Sequence, residues 1–283
     1  MEDEVEQSNP LKPPLCRVGS KQRFAELLDH ILPEHRVYVE PFAGSAAIFF
    51  YKKPAPREVL NDLDSSVTQT YKLIQQISPA TQFPDLDSEA KVRAFWNKTP
   101  VSKEDKLVWN IVRACGGWMG KPAKPGPNKS LIRFSNPLNK LKYFKDYKAR
   151  LSGVHITNED YSKVIADNDS ASTVFFMDPP YESSDGLGYA KGSDSFDFER
   201  FANTVRKIKG KWLITINDSP YIRGLFKGFT ITPVLILGHH QKPGSQTRVA
   251  NTIGSKNRPE LLISNFPIPR DSQEFAPTRL KFS

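Results

Sequence analysis

The run Val174-Phe175-Phe176-Met177 is apolar throughout and stops at Asp178-Pro179-Pro180-Tyr181. A short apolar run closed by a turn signal reads as a buried strand. In open α/β sheets, ligands gather at the carboxyl ends of the strands. An acid, two prolines and an aromatic therefore stand where a substrate would sit. Asp178 can accept one N–H, the rigid prolines can aim a backbone carbonyl at a second, and Tyr181 offers a face for a flat ring. That combination suits methyl transfer to a planar exocyclic amine. Taken alone, the four residues also fit an acidic strand end before a Pro-Pro turn, which is a common loop signal.

A second short strand, Val37-Tyr38-Val39-Glu40, runs into Pro41-Phe42-Ala43-Gly44-Ser45-Ala46-Ala47, with helical residues from about Ala46 to Tyr51. Strand, small-residue turn and helix together bring backbone N–H groups close to a cofactor. Bulky side chains would block that approach. The next strand, Glu58-Val59-Leu60, leads into Asn61-Asp62, about twenty residues past the turn. An acid at that distance suits two ribose hydroxyls. An ordinary βαβ unit with a polar strand end has the same local pattern.

Spacing and chain breakers give the remaining elements. Helices are predicted over about Gln22–Leu32, closed by Pro33, and over about Ser66–Gln76, with Val67, Tyr71 and Ile74 on one face. The span from Ser78 to Arg150 lacks strand alternation and reads as mainly helical as far as Arg113. Loop signals follow at Gly116-Gly117 and from Pro122 to Asn128. Strands resume at Val154–Thr157, Val174–Met177, Trp212–Ile216, Ile231–Leu237 and Glu260–Ser264, with a helix at about Phe198–Ile208. The last two strands have no helix between them and are expected to form an antiparallel hairpin. The Gly- and Ser-rich stretch from Glu182 to Phe196 reads as a lid or as a plain flexible connection.

The charge is unevenly placed. The 283 residues carry a net +9, yet Lys91 to Arg150 alone hold 15 Lys/Arg against Glu104, Asp105 and Asp146, a net of +12, which leaves −3 for the rest. Phe95, Trp96, Trp109, Trp118 and Phe134 are among the aromatics interleaved there. Basic side chains with aromatics suit a phosphate backbone and unstacked bases. A helical subdomain with a solvated basic face around an aromatic core would read the same way. The exposed candidates for nucleic-acid contact are Lys121, Lys124, Lys129 and Arg133 in the Gly/Pro-rich loop, and Lys242 and Arg248 in the stretch from Gly238 to Arg258. No apolar stretch is long enough to span a membrane, and the acidic first seven residues do not resemble a secretory signal. Cys16 and Cys115 read as isolated thiols, neither a disulfide framework nor a zinc site, and point to a reducing cytoplasm. His239-His240 without a nearby cysteine makes a poor metal site, so no metal is expected.

In their order along the chain, these blocks resemble the Dam-type (D12 class) DNA adenine N6-methyltransferases, which use S-adenosylmethionine. Gly19-Ser20-Lys21 resembles the family's Gly-Gly-Lys, Tyr38 to Phe49 its first cofactor loop, and Leu60 to Lys72 its Asp-Ile-Asn strand end. Asn158-Glu159-Asp160-Tyr161 resembles the third cofactor segment, and Asp178 to Tyr181 the catalytic tetrad. Ile214 to Phe229 is similar to the strand and helix carrying Ser-Asn-His-Asp in relatives, and Arg258 to Phe266 to the closing strand. The likeness covers about residues 16–76 and 153–266. There are four departures. Arg17 stands where many relatives have Trp, and Ala46 replaces the second loop glycine, a position alanine can fill with helical dihedrals. Asp64 replaces Asn, and Thr215-Ile216-Asn217-Asp218 lacks the Ser and His.

The resemblance implies a seven-stranded Rossmann-like α/β sheet with a β-hairpin edge and an inserted, mainly helical target-recognition subdomain. The expected division is a disordered tail at 1–15, a catalytic domain at 16–76 and 151–268, a DNA-recognition insertion at 77–150 and a C-terminal tail at 269–283. It implies catalysis by Asp178, Pro179, Pro180 and Tyr181. Asp62 would hold the ribose, and Asp160 with Tyr161 the adenine side of the cofactor. Glu40, Phe42 and Gly44 would frame the pocket, with Lys21 near the methionine end. The implied reaction is methyl transfer from S-adenosylmethionine to N6 of an adenine flipped out of a DNA duplex, in a prokaryotic or phage-infected cytoplasm, within a restriction–modification or phage setting. RNA adenine methylation and a non-catalytic nucleic-acid-binding relative remain the alternatives.

Overall fold

Successive side chains of a strand point to opposite faces, and in the central strands of this chain both sets are apolar, so a layer is required on each side of the sheet. The computed structural model describes residues 10–17, 19–86, 88–116, 140–182, 196–236, 258–268 and 280–282 and has that arrangement. The strands are β1 (Val37–Glu40), β2 (Arg57–Asn61), β3 (His155–Thr157), β4 (Thr173–Met177), β5 (Lys211–Asn217), β6 (Thr230–Ile236), β7 (Arg258–Ser264) and β8 (Leu280–Phe282). Tyr38, Val174, Phe176 and Leu213 enter one buried cluster, while Val39, Phe175, Met177, Trp212, Ile214 and Ile216 enter the other. The helices are α1 (Ala25–Ile31), α2 (Ala47–Tyr51), α3 (Ser65–Gln76), α4 (Glu89–Asn97), α5 (Lys103–Gly116), α6 (Phe144–Arg150), α7 (Tyr161–Asn168), α8 (Phe198–Val205) and α9 (Pro220–Leu225). The first cluster takes side chains of α1, α2, α3, α5 and α6, and the second those of α7, α8 and α9.

The strand order is β3-β2-β1-β4-β5-β7-β6-β8. The first five of these are parallel, and β7 lies antiparallel between β5 and β6. This is the Rossmann-like α/β sheet with the antiparallel hairpin expected at its edge. The chain leaves β1 to one side through β2 and β3, then returns to β4 on the other. The crevice between the carboxyl ends of β1 and β4 is therefore the topological switch point, where such sheets bind ligands.

Three expectations are corrected. An eighth strand, β8, pairs antiparallel with β6 and extends the edge into what reads as a C-terminal tail. Residues 10–15 are not a disordered tail: Leu15 is buried in the first cluster, Leu11 packs against it, and Lys140 Nζ donates to the Pro13 carbonyl. Nor are the two cysteines isolated. Docking of this N-terminal segment on α5 brings Cys16 Sγ to 2.9 Å from Cys115 Sγ, 99 residues away in sequence. The hydrogen bond between the two lowers the Cys16 thiol pKa to about 7, and that bond and burial raise the Cys115 thiol well above the usual range.

The helical stretch after α3 is joined to the sheet at both ends. Leu107 and Ile111 of α5 enter the first cluster, and Asn110 Nδ2 donates to Thr70 Oγ1 at 3.0 Å. Val92, Phe95 and Trp96 of α4 close a smaller cluster with Val108 and Val112. On the return, Arg150 at the end of α6 donates to Glu58 on β2, at 3.0 Å from Nη2, and to the Phe49 carbonyl at 2.7 Å. Lys52 Nζ donates to the same Glu58 at 2.8 Å.

Candidate active site

The ends of β1, β2 and β4 surround a cavity of about 490 Å³. Asn61, 1% exposed, fastens three strand ends together. Its Nδ2 donates to the carbonyls of Pro41 and Glu159, both at 2.9 Å, and its Oδ1 accepts from the Glu159 N–H at 2.9 Å and the Thr157 hydroxyl at 2.8 Å. Sequence reasoning passed over this residue because only tertiary pairing gives it partners.

The loop after β1 is tight. Gly44 has φ +50 and Ala46 φ +53. A Cβ built at Gly44 meets nothing within 4 Å, so the glycine leaves open space beside the cavity it lines. Ala46 is in the left-handed region and does not have the right-handed helical dihedrals expected of it. That conformation costs alanine about 1–2 kcal/mol. Burying its methyl, worth about 0.8 kcal/mol, offsets much of the strain. Glu40 stands in for the side-chain cap that Ala46 cannot supply to α2: its Oε1 accepts from the Phe49 N–H at 3.0 Å and from the Tyr38 hydroxyl at 2.8 Å. Burial pushes the Glu40 carboxyl up to about 8.

Asp62 accepts the Gly44 N–H on Oδ2 and the Asp64 N–H on Oδ1, both at 2.8 Å. Each oxygen keeps a further lone pair, and burial raises its pKa. Arg17 and Asp64, both departures from the family pattern, pair with each other at 2.8 Å beside it. Asp160 caps α7 through the Ser162 N–H at 3.0 Å and takes a two-pronged contact from Arg200 at 2.7 and 3.1 Å. Those bonds, Arg200's first, hold its carboxyl down at about 2. Phe42, Tyr161 and Phe196 form an aromatic wall, with Phe42 ring centroids 5.2 Å from Tyr161 and 5.9 Å from Phe196. Arg200 and Phe196 also line the cavity. Neither stands in a recognisable motif, and only the turn of α8 toward the strand ends reveals them.

On the opposite wall, Lys21 Nζ lies 2.8 Å from the Asp178 carboxylate and 5.0 Å from the Tyr181 ring centroid. It is 4% exposed and also donates to the Gly19 carbonyl at 2.9 Å. The structure thus brings Lys21, expected near the methionine end of a cofactor, onto the tetrad acid within the same cavity. Thr215 Oγ1 donates to Asp178 Oδ1 at 2.9 Å. Asp178, Pro179, Pro180 and Tyr181 share the cavity with Lys21, Glu40, Phe42, Gly44, Asp62, Asp160 and Tyr161. Lys121, Lys124, Lys129, Arg133, Lys242 and Arg248 lie outside the described residues. Among the described residues, no group of three or more His, Cys, Asp or Glu has metal-binding geometry, and no helix is long and apolar enough to cross a membrane.

Residues 18–105 and 127–235 match the model of the D12 class N6 adenine-specific DNA methyltransferases. This chain belongs to that family. It is an adenine-N6 DNA methyltransferase by that membership, and its relatives are spread across archaea, viruses and phage. It is 26% identical to the type II methyltransferase M.MjaIII of Methanocaldococcus jannaschii, over 90% of this chain and 99% of that one. It is 22% identical to the type II methyltransferase M.CviBI of Paramecium bursaria Chlorella virus NC1A, over 76% and 85%. A DNA N-6-adenine-methyltransferase of Escherichia phage P1 is 25% identical over 76% of this chain and 31% of its own length.

Proposed function

We propose that this adenine methyltransferase acts by direct transfer from S-adenosylmethionine to N6 of an adenine swung out of the DNA duplex. The observation that carries the reading is one shared cavity: Asp178 at the end of β4 faces the same space as the Gly44 loop and Asp62. Its volume falls in the range of small-molecule sites. An unfilled space at Gly44, a carboxylate with lone pairs to spare and an aromatic wall fit a nucleoside-bearing sulfonium. When bound, S-adenosylmethionine supplies an electrophilic methyl group. Asp62 would hold the ribose hydroxyls, Phe42 and Tyr161 the flat base, and Gly44 the close backbone approach. Asp160 would contribute through the start of α7, since its carboxylate is already engaged by Arg200.

Adenine N6 is a weak nucleophile because its lone pair is delocalised into the ring, and within a duplex it is out of reach. Asp178 and the Pro179 carbonyl would accept the two amino hydrogens. That favours a more tetrahedral nitrogen with its lone pair aimed at the methyl group. Tyr181 would stack on the flipped base. Catalysis is then positioning and electrostatics, and no covalent enzyme intermediate is needed. The insertion at 77–150, with the basic loop residues Lys121, Lys124, Lys129 and Arg133, would grip the phosphate backbone, joined by Lys242 and Arg248.

The test is plasmid DNA methylated to completion and read by single-molecule sequencing. Wild type should leave N6-methyladenine, whereas purified, folded Asp178→Ala should leave none above background. Substantial turnover by that variant would remove Asp178 from the chemistry.

A further inference from the structure

The tetrad loop has little means of fixing itself. Pro179 and Pro180 have no N–H, so its restraints must come from elsewhere, and they come from the end of β5. Met177 pairs in parallel register with Ile214, which sets Asp178 level with Thr215. Thr215, 2% exposed, donates its hydroxyl to Asp178 Oδ1 at 2.9 Å. Two residues on, Asn217 Oδ1 accepts the Glu182 N–H at 2.9 Å. Two further, Ser219 donates to Glu182 Oε2 at 2.5 Å while capping α9. The tetrad is thus held at Asp178, its first residue, and at Glu182, the residue after its last, by Thr215 and Asn217 of β5 and by Ser219 just beyond that strand. Lys21 approaches the Asp178 carboxylate as well, at 2.8 Å from an element on the far side of the chain.

We infer that Thr215 is a positioning residue for methyl transfer. Its hydroxyl fixes the rotation of the Asp178 carboxylate, so that the remaining lone pairs face the target amine. The inference rests on the role proposed above for Asp178. A hydroxyl donating to an ionised group ranks among the stronger hydrogen bonds, and its loss lets the acceptor turn away from the geometry on which the rate depends. Thr215 is not among the residues that line the cavity shared by Gly44 and Asp62, so its effect should fall on the chemical step and spare cofactor binding.

The experiment compares wild type with Thr215→Val, Thr215→Ala and Thr215→Ser. It reads single-turnover methylation of duplex DNA, cofactor affinity by calorimetry and the thermal midpoint. Valine keeps the shape without the hydroxyl, alanine omits both, and serine restores the donor. The expected result is roughly a tenfold or greater loss of rate in the valine and alanine variants. Cofactor affinity should stay within twofold of wild type, and serine should recover most of the rate. Wild-type rates in both deletion variants, or a serine variant as slow as valine, would overturn the positioning role. So would rate loss matched by an equal loss of cofactor affinity. Wild type that fails to methylate adenine N6 would overturn the underlying reading and this inference with it. Active wild type beside unaffected variants would overturn this inference alone.

Discussion

Two carboxylates lining the cavity are driven in opposite directions by their surroundings. Arg200 holds Asp160 at about 2, whereas burial lifts Glu40 to about 8 in spite of donors from Tyr38 and Phe49. For Glu40 the native pKa exceeds the ordinary value of 4.5. The folded protein therefore keeps a proton that the unfolded chain releases. This contribution to stability is complete below about pH 4.5 and is lost as pH rises toward about 8. Urea unfolding should accordingly show stability falling between pH 5 and 8, with this one group contributing a slope no steeper than about 1.4 kcal/mol per pH unit. Glu40→Gln imitates the protonated acid and should flatten the slope. Parallel pH profiles for the variant and wild type would show that Glu40 is ionised in the fold. The sequence marks Glu40 as the last residue of a strand before a cofactor turn and, by resemblance, as part of the pocket frame. That it closes the helix after that turn is a matter of distance in space, which spacing along the chain does not carry.

At the scale of elements, the strand ends converge on Asn61. Four hydrogen bonds meet on one buried amide, joining β2 to the turn after β1 and to the end of β3. Asn61→Ala leaves several of these groups unpaired in the interior, where each unsatisfied group costs about 1–3 kcal/mol. A loss of about 2–4 kcal/mol in chemical denaturation is expected, together with weaker cofactor binding, because Asp62 is the next residue. Unchanged stability would mean that water replaces the amide. Elements with strong periodicity or plain terminators were legible without coordinates. The apolar run of β4, the breaker Pro33 after α1 and the Val67/Tyr71/Ile74 stripe of α3 all fall where expected. Alternating strands and helices, with no helix between the last two long strands, announce a mainly parallel sheet with a hairpin edge, while the strand order itself is seen only in the structure. The signals that failed were those set by contacts distant in sequence. Residues 1–15 are expected as a disordered tail, yet Leu15 is buried. The contact of Lys21 with Asp178, 157 residues away, has no local signal at all. The left-handed φ of Ala46 is invisible because alanine favours helical dihedrals.

Across the whole molecule, charge and fold are unevenly matched. The net +9 conceals a segment of +12 between Lys91 and Arg150. If that segment grips DNA, log affinity should fall linearly with log salt, by a slope near −0.9 for each phosphate neutralised. Changing Lys121, Lys124 and Lys129 together to Ala should flatten the slope and weaken all duplexes alike, measured by fluorescence anisotropy from about 50 to 200 mM salt. An unchanged slope with altered target adenines would make the loop a reader of bases. The return of this basic segment to the sheet also sets a rule for recombination. Phe144 and Tyr147 lie in the same core as the sheet, and Arg150 closes the Lys52–Glu58 ion pair beneath it. A chimera that exchanged target preference with a relative by cutting at residue 150 would import a foreign α6 and put at risk one of the two cationic partners of buried Glu58. The workable crossover points lie beyond α5 and before Phe144, so that the portion open to transplantation is shorter than the stretch of chain that looks foreign to the sheet.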